Sequence, residues 1–580
     1  MLRLQVTDQE LGHAIVTKRR GWLILVGLAI VLAGALIAQS IRTADGTTVR
    51  DIRFAGTNGT VMSALLYIPK NATAATPAPG ILAVHGYINS RETQDGFAIE
   101  FARRGYVVLS LDQTGHGYSQ GAAFSNGFGG PDGLRYLRSL PMVNTRQIGL
   151  EGHSMGGWTV LAAAAAMPKA YTSMVLEGSS TGAPFAQEGS PTWPRNVGIV
   201  FSRFDEFSNL MWGVARAKDV ASSSKLQSVF GRQAPVVENR LYGSIKDGTA
   251  RKLYQPNTTH PGDHISTAAI GNAIEWFGAT LVGGTPRPAS DQIWYWKEVG
   301  TGVGLIGFVM IMLGTFDALV RLPFFASLHA VSIPAGAFRD GAWWKGFALN
   351  TGLPALLFFP TFIAAYLLLL LPASQWLPQA VTTQITLWAL TSAGLSLLIG
   401  RFMRRPAGTH QSDWFKSILL AVATVAAGYV ALLLVDQLFQ TDFRFWVVAV
   451  KLPSVSQWGI AAIYVVPLTL AFLVTTRSLA SATVRGDTAG LRYIAAILTL
   501  TTGFILMLAA IYGVLFMTGS LVTAFDPLST VIAIQFVPVL IAVAIIAIFT
   551  WRRTGSHRLG GLIAGILVTL YAVAGTATQI

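Results

Sequence analysis

Between residues 298 and 578 the chain is a succession of apolar blocks, each about as long as the roughly 20-residue helix that crosses a bilayer core. The blocks lie near 299–320, 346–371, 381–400, 417–438, 457–476, 493–517, 530–550 and 559–578, and one more lies near 21–39, behind Lys18-Arg19-Arg20. About nine transmembrane helices are therefore expected. A hydrophobic content of 52% with only 12% charged residues agrees with a membrane protein. The stretch 45–283 is different, because polar, charged, Gly and Pro residues break it into short runs. The expected division is a cytoplasmic N-terminus with a signal anchor over 1–44, a folded domain over 45–283, a linker at the interface over 284–297, and a polytopic bundle of about eight helices over 298–580. The run at 21–39 is too long for the core of a cleaved signal peptide, so an uncleaved anchor is expected.

Charge placement sets the orientation. With the N-terminus in the cytoplasm, alternation collects Arg3, Lys18, Arg19, Arg20 and the Arg and Lys residues of four loops on the inner side, giving 17 basic residues against five acidic ones. The outer loops of the bundle contain only Arg444 and Lys451. The net charge of +14 is thus a positive-inside signature and excludes a nucleic-acid footprint. The domain over 45–283 is expected outside the cytoplasm, and the plasma membrane is the expected location. The middles of the apolar blocks carry no ionisable residue, which argues against a proton or ion path. Asp317 is read as pairing with Arg321 one turn on. Trp294-Tyr295-Trp296 and Trp343-Trp344 are read as aromatic girdles at the membrane interface.

The domain begins with a hairpin, Val49–Ala55 and Thr60–Ile68 about Gly56-Thr57-Asn58-Gly59, and continues with short buried-strand runs at Ile81–Val84, Tyr106–Leu111, Gln147–Leu150, Thr172–Leu176 and Val197–Phe201. Helical runs such as Gln94–Arg104 and Trp158–Ala166 separate several of them. The expected fold is α/β, a mostly parallel sheet with helices on both faces, beside an all-α transmembrane bundle. The chain has no cysteine, so thiol chemistry and Cys-ligated metals are excluded. His260 and His264 stand four apart, but Pro261 and Gly262 between them break a helix and no third ligand is evident; no metal or other cofactor is expected.

Gly152-His153-Ser154-Met155-Gly156 follows a strand and opens an alanine-rich helix. Glycine on both sides permits the sharp turn that exposes a serine at a helix N-terminus. With His85-Gly86 at the end of one strand and Leu111-Asp112-Gln113-Thr114-Gly115-His116-Gly117-Tyr118-Ser119 after the next, this region resembles the α/β-hydrolase superfamily, nearer to uncapped dienelactone-hydrolase-like or peptidase-like members than to lidded lipases. The resemblance spans about 45–283 and implies Ser154 as nucleophile. It also implies an oxyanion hole from the backbone N–H groups of Tyr87 and Met155. His85 and Asp112 are read as ordering turns at strand ends.

In the family order an acid and then a histidine follow the serine. Asp205 stands just past the strand Val197–Phe201 and is the expected acid, with Glu206 and Glu177 as rivals. His260 is the expected base and His264 the alternative. Ser180 to Arg195 leaves no room for a large cap, while Phe207–Gln233 is read as a small cover or a helix packing on the sheet. The resulting expectation is a membrane-bound serine hydrolase that cleaves acyl esters of lipid or envelope components. Its substrate is an acyl ester, lipid or peptide, and its surroundings are membrane lipids. Acyl transfer, peptide cleavage, or a transporter or scaffold with a hydrolase-like sensor are the alternatives.

Overall fold

The computed structural model describes residues 21–330, 337–369, 374–402 and 412–580. Arg3, Asp8, Glu10, Lys18, Arg19, Arg20, Arg404 and Arg405, all used in the charge count, lie outside these residues.

Eight strands form one sheet: β1 (Thr48–Ala55), β2 (Val61–Ile68), β3 (Ala78–Val84), β4 (Val107–Leu111), β5 (Val143–His153), β6 (Ser173–Glu177), β7 (Val197–Val200) and β8 (Arg251–Tyr254). Their order is β1-β2-β4-β3-β5-β6-β7-β8. β1, β2 and β4 pair antiparallel, and from β4 to β8 every pairing is parallel. A strand buried on both faces reads as a continuous apolar run, as β3, β4, β6 and β7 do, whereas β1 at the edge is largely uncovered and β8, with Arg251 and Lys252, gives no such run.

Fifteen helices are labelled in chain order. They are α1 (Trp22–Arg42), α2 (Asp95–Arg103), α3 (Gly130–Ser139), α4 (Met155–Ala166), α5 (Ser208–Trp212), α6 (Ser224–Phe230), α7 (Thr267–Thr280), α8 (Tyr295–Leu319), α9 (Gly341–Leu369), α10 (Ala380–Phe402), α11 (Trp414–Phe439), α12 (Val455–Ser481), α13 (Ala489–Thr518), α14 (Pro527–Thr554) and α15 (His557–Gly575).

Side chains alternate along each strand, so the sheet feeds two cores. Leu82, Val84, Ile148 and Leu150 pack against α3 and α4 on one face. Ile81 and Ala83 join Phe97 and Phe101 of α2 and Trp276 and Phe277 of α7 on the other. The expected α/β arrangement with helices on both faces is the one observed.

Among the described residues nine helices, α1 and α8 to α15, are long and apolar enough to cross a membrane. α1 and α8 pack as a close pair through small residues. A Cβ at Gly27 would sit 3.0 Å from the Ile311 amide nitrogen, and one at Gly34 would run into the Gly300 carbonyl. Small residues let helix backbones approach where the surrounding lipid removes any hydrophobic drive to associate.

The sheet domain and the long helices share a polar seam. Arg42 at the end of α1 donates to the carbonyls of Phe439 (2.8 Å) and Gln440 (2.9 Å), beyond α11. Lys297 of α8 pairs with Asp95 at 2.9 Å. Between α11 and α12 a hairpin, β9 (Phe443–Phe445) with β10 (Val448–Val450), carries Arg444, which donates to Thr93 and Ser90, and is followed by Lys451, 3.2 Å from Glu92. Burial would raise the Glu92 carboxyl, but Lys451, Arg91 and Arg444 hold it well below the usual range. Thr578 and Gly115 also meet, backbone to backbone, at 2.8 Å. Each of these contacts uses a segment that charge alternation groups on the domain's own side.

One reading needs correction and another is extended. Trp294 is not an interface ring: it is buried in the core shared by α2 and α7, with Nε1 donating to Gln292 at 2.8 Å. Its neighbours Tyr295 and Trp296 do remain exposed. The expected Asp317–Arg321 pair is present at 3.0 Å, and Arg553 of α14 joins it, so Asp317 also ties α8 to α14.

Candidate active site

β5 ends at His153, and α4 begins at Met155, leaving Ser154 as the single residue of the turn. Its backbone lies at φ 55°, ψ −122°, outside the regions an ordinary residue occupies at low cost. The flanking glycines make the turn possible. A Cβ on Gly152 would strike the Gly156 carbonyl, and one on Gly156 the Val84 carbonyl at the end of β3. The first N–H groups of α4 have no partner within the helix, so Ser154 stands at a donor-rich, positive helix end.

Asp205 lies beyond β7 in the turn that leads to α5, and His260 lies beyond β8, so adjacent parallel strands deliver both to the same edge. Asp205 Oδ2 is 2.8 Å from His260 Nδ1, and Oδ1 accepts the Phe207 N–H at 2.7 Å. Burial, with the nearby Asp263 charge, pushes the Asp205 carboxyl up. Burial pushes His260 down to about 4, which leaves its imidazole neutral at neutral pH with Nε2 able to accept a proton. Phe207 packs on the His260 ring at 4.4 Å, and His153 at 4.6 Å from the other side. His153 Nε2 donates to the His260 carbonyl at 3.0 Å.

The rivals take other places. Glu206 Oε2 accepts the His260 backbone N–H at 2.8 Å, and Oε1 accepts the Tyr512 hydroxyl of α13 at 2.7 Å. Burial and then the Asp205 charge push this carboxyl up to about 8. Glu177 is buried at the end of β6, and its carboxylate oxygens meet no donor among the described residues. The His264 ring lies 4.1 Å from that of His153, tilted by 51°, and neither ring nitrogen of His264 has a hydrogen-bond partner among the described residues. His85 accepts the Gln113 N–H at 3.2 Å; Asp112 accepts those of Arg91 and Tyr118 and the Ser63 hydroxyl. Both therefore order loops.

Ser154, Met155, Tyr87, His260 and His264 all line one cavity of about 440 Å³. Its far wall comes from the long helices and their loops: Tyr366 of α9, Trp446 of the β9–β10 hairpin, Phe525, and Leu528 and Val531 of α14. Trp446 Nε1 donates to the Pro261 carbonyl at 2.7 Å, next to His260. Gln579 donates to the Tyr87 hydroxyl at 2.7 Å. The segment Phe207–Gln233 does both things expected of it. Met211 and Trp212 are buried on the sheet while Leu210 lines the cavity. Sequence reading missed the contributions of Tyr512, Trp446, Phe525 and α14, because no local pattern announces which face of an apolar helix meets a neighbouring domain.

Comparison with known proteins gives one partial family match and several partial structural likenesses. Residues 75–225 match the family described as serine aminopeptidase, S33, a span that includes Ser154 and Asp205 and stops short of His260. Among solved structures, a hypothetical protein from Pseudomonas aeruginosa is 28% identical over 23% of this chain and 43% of its own, with a TM-score of 0.21. A dienelactone hydrolase-like promiscuous phosphotriesterase from metagenomic libraries is 14% identical over 41% of this chain and 99% of its own, with a TM-score of 0.30. Acetyl xylan esterase 1 from a Thermoanaerobacterium species is 15% identical over 39% of this chain and 84% of its own, with a TM-score of 0.26. This chain spans less than half the length of the first three structures it matches. No curated protein matches it. The chain carries a mostly parallel α/β sheet of strand order β1-β2-β4-β3-β5-β6-β7-β8, and part of it is similar to that serine aminopeptidase family.

Proposed function

We propose that this chain is a multi-pass membrane serine hydrolase that cleaves acyl esters of lipid or envelope components on the outer side of the plasma membrane. In this reading residues 1–44 are the N-terminal segment and its anchor, 45–283 the hydrolase, 284–297 the linker and 298–580 the membrane bundle. Ser154 Oγ attacks the ester carbonyl while His260 Nε2 takes its proton. Asp205 holds the imidazole through Nδ1 and stabilises the imidazolium. The N–H groups of Met155 and Tyr87 receive the oxyanion, a contribution of about 3–4 kcal/mol per donor. His260 then protonates the departing alcohol, and water activated by the same histidine releases the acid from Ser154.

The observation that carries this reading is the 2.8 Å Asp205–His260 contact on the cavity that Ser154 lines. It favours His260 over His264, which has no acid on its ring nitrogens. The close packing of α1 on α8 supports an anchor that is retained, and the inner-side excess of Arg and Lys supports the outward orientation. A fluorophosphonate probe should label the purified full chain and fail on Ser154→Ala. Equal labelling of that variant would remove the nucleophile assignment.

A second reading, cleavage of an N-terminal residue from a peptide, is favoured by the description of the matching family and by Asp526, an acid on the cavity wall that could hold a substrate ammonium. Initial rates on matched aryl esters and aminoacyl arylamides separate the two. A preference for the amides that disappears in Asp526→Asn would select the peptidase.

A further inference from the structure

The cavity is closed on one side by catalytic-domain residues and on the other by helices long and apolar enough to lie in a membrane. Leu528, Val531 and Gln535 line it from a single face of α14, at positions i, i+3 and i+7. The cavity therefore follows that helix for two turns, about 10 Å along its axis. Tyr366, near the C-terminal end of α9, and Phe525, ahead of α14, also line the cavity, yet they are 54% and 67% exposed. Both side chains thus border the cavity on its α9 and α14 side while much of their surface stays uncovered.

The chemistry of the lining points the same way. Trp158, Phe185, Phe207 and Met211 surround the Ser154 end, and Asp526 is the one carboxylate on the lining. Its Oδ1 accepts the Ser529 N–H as the cap of α14, and its negative charge disfavours an anionic group beside it. An anionic headgroup finds no Lys or Arg on this lining, whereas an uncharged hydrocarbon body finds mostly apolar side chains.

We propose that the substrate is a membrane-resident acyl ester whose hydrocarbon chain enters sideways between α9 and α14 and lies along Leu528 and Val531, with its ester carbonyl at Ser154. This rests on the hydrolase reading above and adds the substrate class and its route. The bilayer, not the aqueous phase, then supplies the substrate, and the membrane bundle forms half of the acyl site.

The test uses the full chain in lipid nanodiscs and aryl esters graded from acetyl to palmitoyl. kcat/KM should rise with chain length in the wild type. Val531→Trp should lower the ratio of long-chain to short-chain kcat/KM by about tenfold or more, the size expected when a pocket is shortened by several methylenes. Leu528→Phe serves the same purpose if the larger substitution does not fold. Leu433→Trp, on an exposed position of α11 away from the cavity, should leave the ratio unchanged. A photoreactive fatty acyl ester added to Ser154→Ala in nanodiscs should crosslink to peptides from α9 and α14. Crosslinks confined to other helices, an unchanged ratio in both α14 variants, or a preference for acetyl esters would each overturn the route. Wild-type hydrolysis by Ser154→Ala would instead overturn the hydrolase reading, whatever the crosslinks.

Discussion

Two adjacent buried acids, Asp205 and Glu206, touch opposite sides of His260, and their substitution separates orientation of the imidazole from support of its backbone. In Asp205→Asn the side chain still accepts the Phe207 N–H, but an amide faces Nδ1 in place of a carboxylate oxygen. That reverses the imidazole tautomer and places a proton where Ser154 needs an acceptor. The expected fall in kcat is about four orders of magnitude, ~5 kcal/mol of barrier. Glu206, with its carboxyl pushed up to about 8, is protonated at neutral pH, and glutamine copies its shape while keeping an acceptor for the His260 N–H and a partner for Tyr512. Glu206→Gln should therefore change kcat/KM by no more than about threefold, within ~1 kcal/mol for a conserved hydrogen bond. The pH sign is fixed by the raised value. From about pH 5 to about pH 8 folded Glu206 keeps a proton that the unfolded chain has released, so its contribution to stability falls as pH rises. The Tm of the wild type minus that of Glu206→Gln should decline across this window. Initial rates on an aryl ester and thermal unfolding in detergent measure both effects. If Glu206→Gln proves as damaging to kcat as Asp205→Asn, the assignment of roles is refuted.

His260→Asn should abolish ester turnover and fluorophosphonate labelling, whereas His264→Asn should retain labelling within about tenfold, because His264 holds no hydrogen bond that orders the site. Tyr512→Phe removes the membrane-helix hydroxyl from buried Glu206 and should cost about 1–3 kcal/mol of stability in a thermal melt, with kcat falling more than KM changes. Gly34→Leu drives a side chain into the Gly300 carbonyl and should lower stability by at least about 1–3 kcal/mol, while Gly513→Leu on α13, which meets open space, should not. Melting temperatures of the two glycine variants, taken in one detergent, are the check.

Much of this architecture was legible because its signals are local. A membrane-length helix needs only length and apolarity, and a parallel strand only a short buried run, so both appear without knowledge of any partner. The turn at Ser154 was legible for the same reason: strand, glycine and helix are consecutive. Asp205 and His260 were readable as candidates since each follows a strand, but their 2.8 Å contact depends on β7 and β8 being neighbours. Pro261 and Gly262, expected to break a helix, instead open a short 3-10 turn over Pro261–Ile265, and the choice between the histidines lay in that turn, with the His260 ring at Asp205 and the His264 ring against His153. Arg444 and Lys451 read as loop charges in solvent; the fold buries both against Ser90, Thr93 and Glu92. Such long-range pairings leave no periodic mark on the chain.

The pairing of α1 with α8 has a consequence in time. At roughly 5–20 residues per second a ribosome takes on the order of 10–50 s to make the roughly 250 residues that separate the two helices. In the proposed topology α1 waits through that interval with its glycine face unmatched, and the sheet can close before β9, β10 or α13 has been made. In that interval, among the described residues, Asp95 has only Tyr67 and Arg42, and Glu92 only Ser90 and Arg91, with water for the rest; Lys297 and Lys451 join them when the later segments arrive. A charged seam is the kind of surface that stays soluble while it waits.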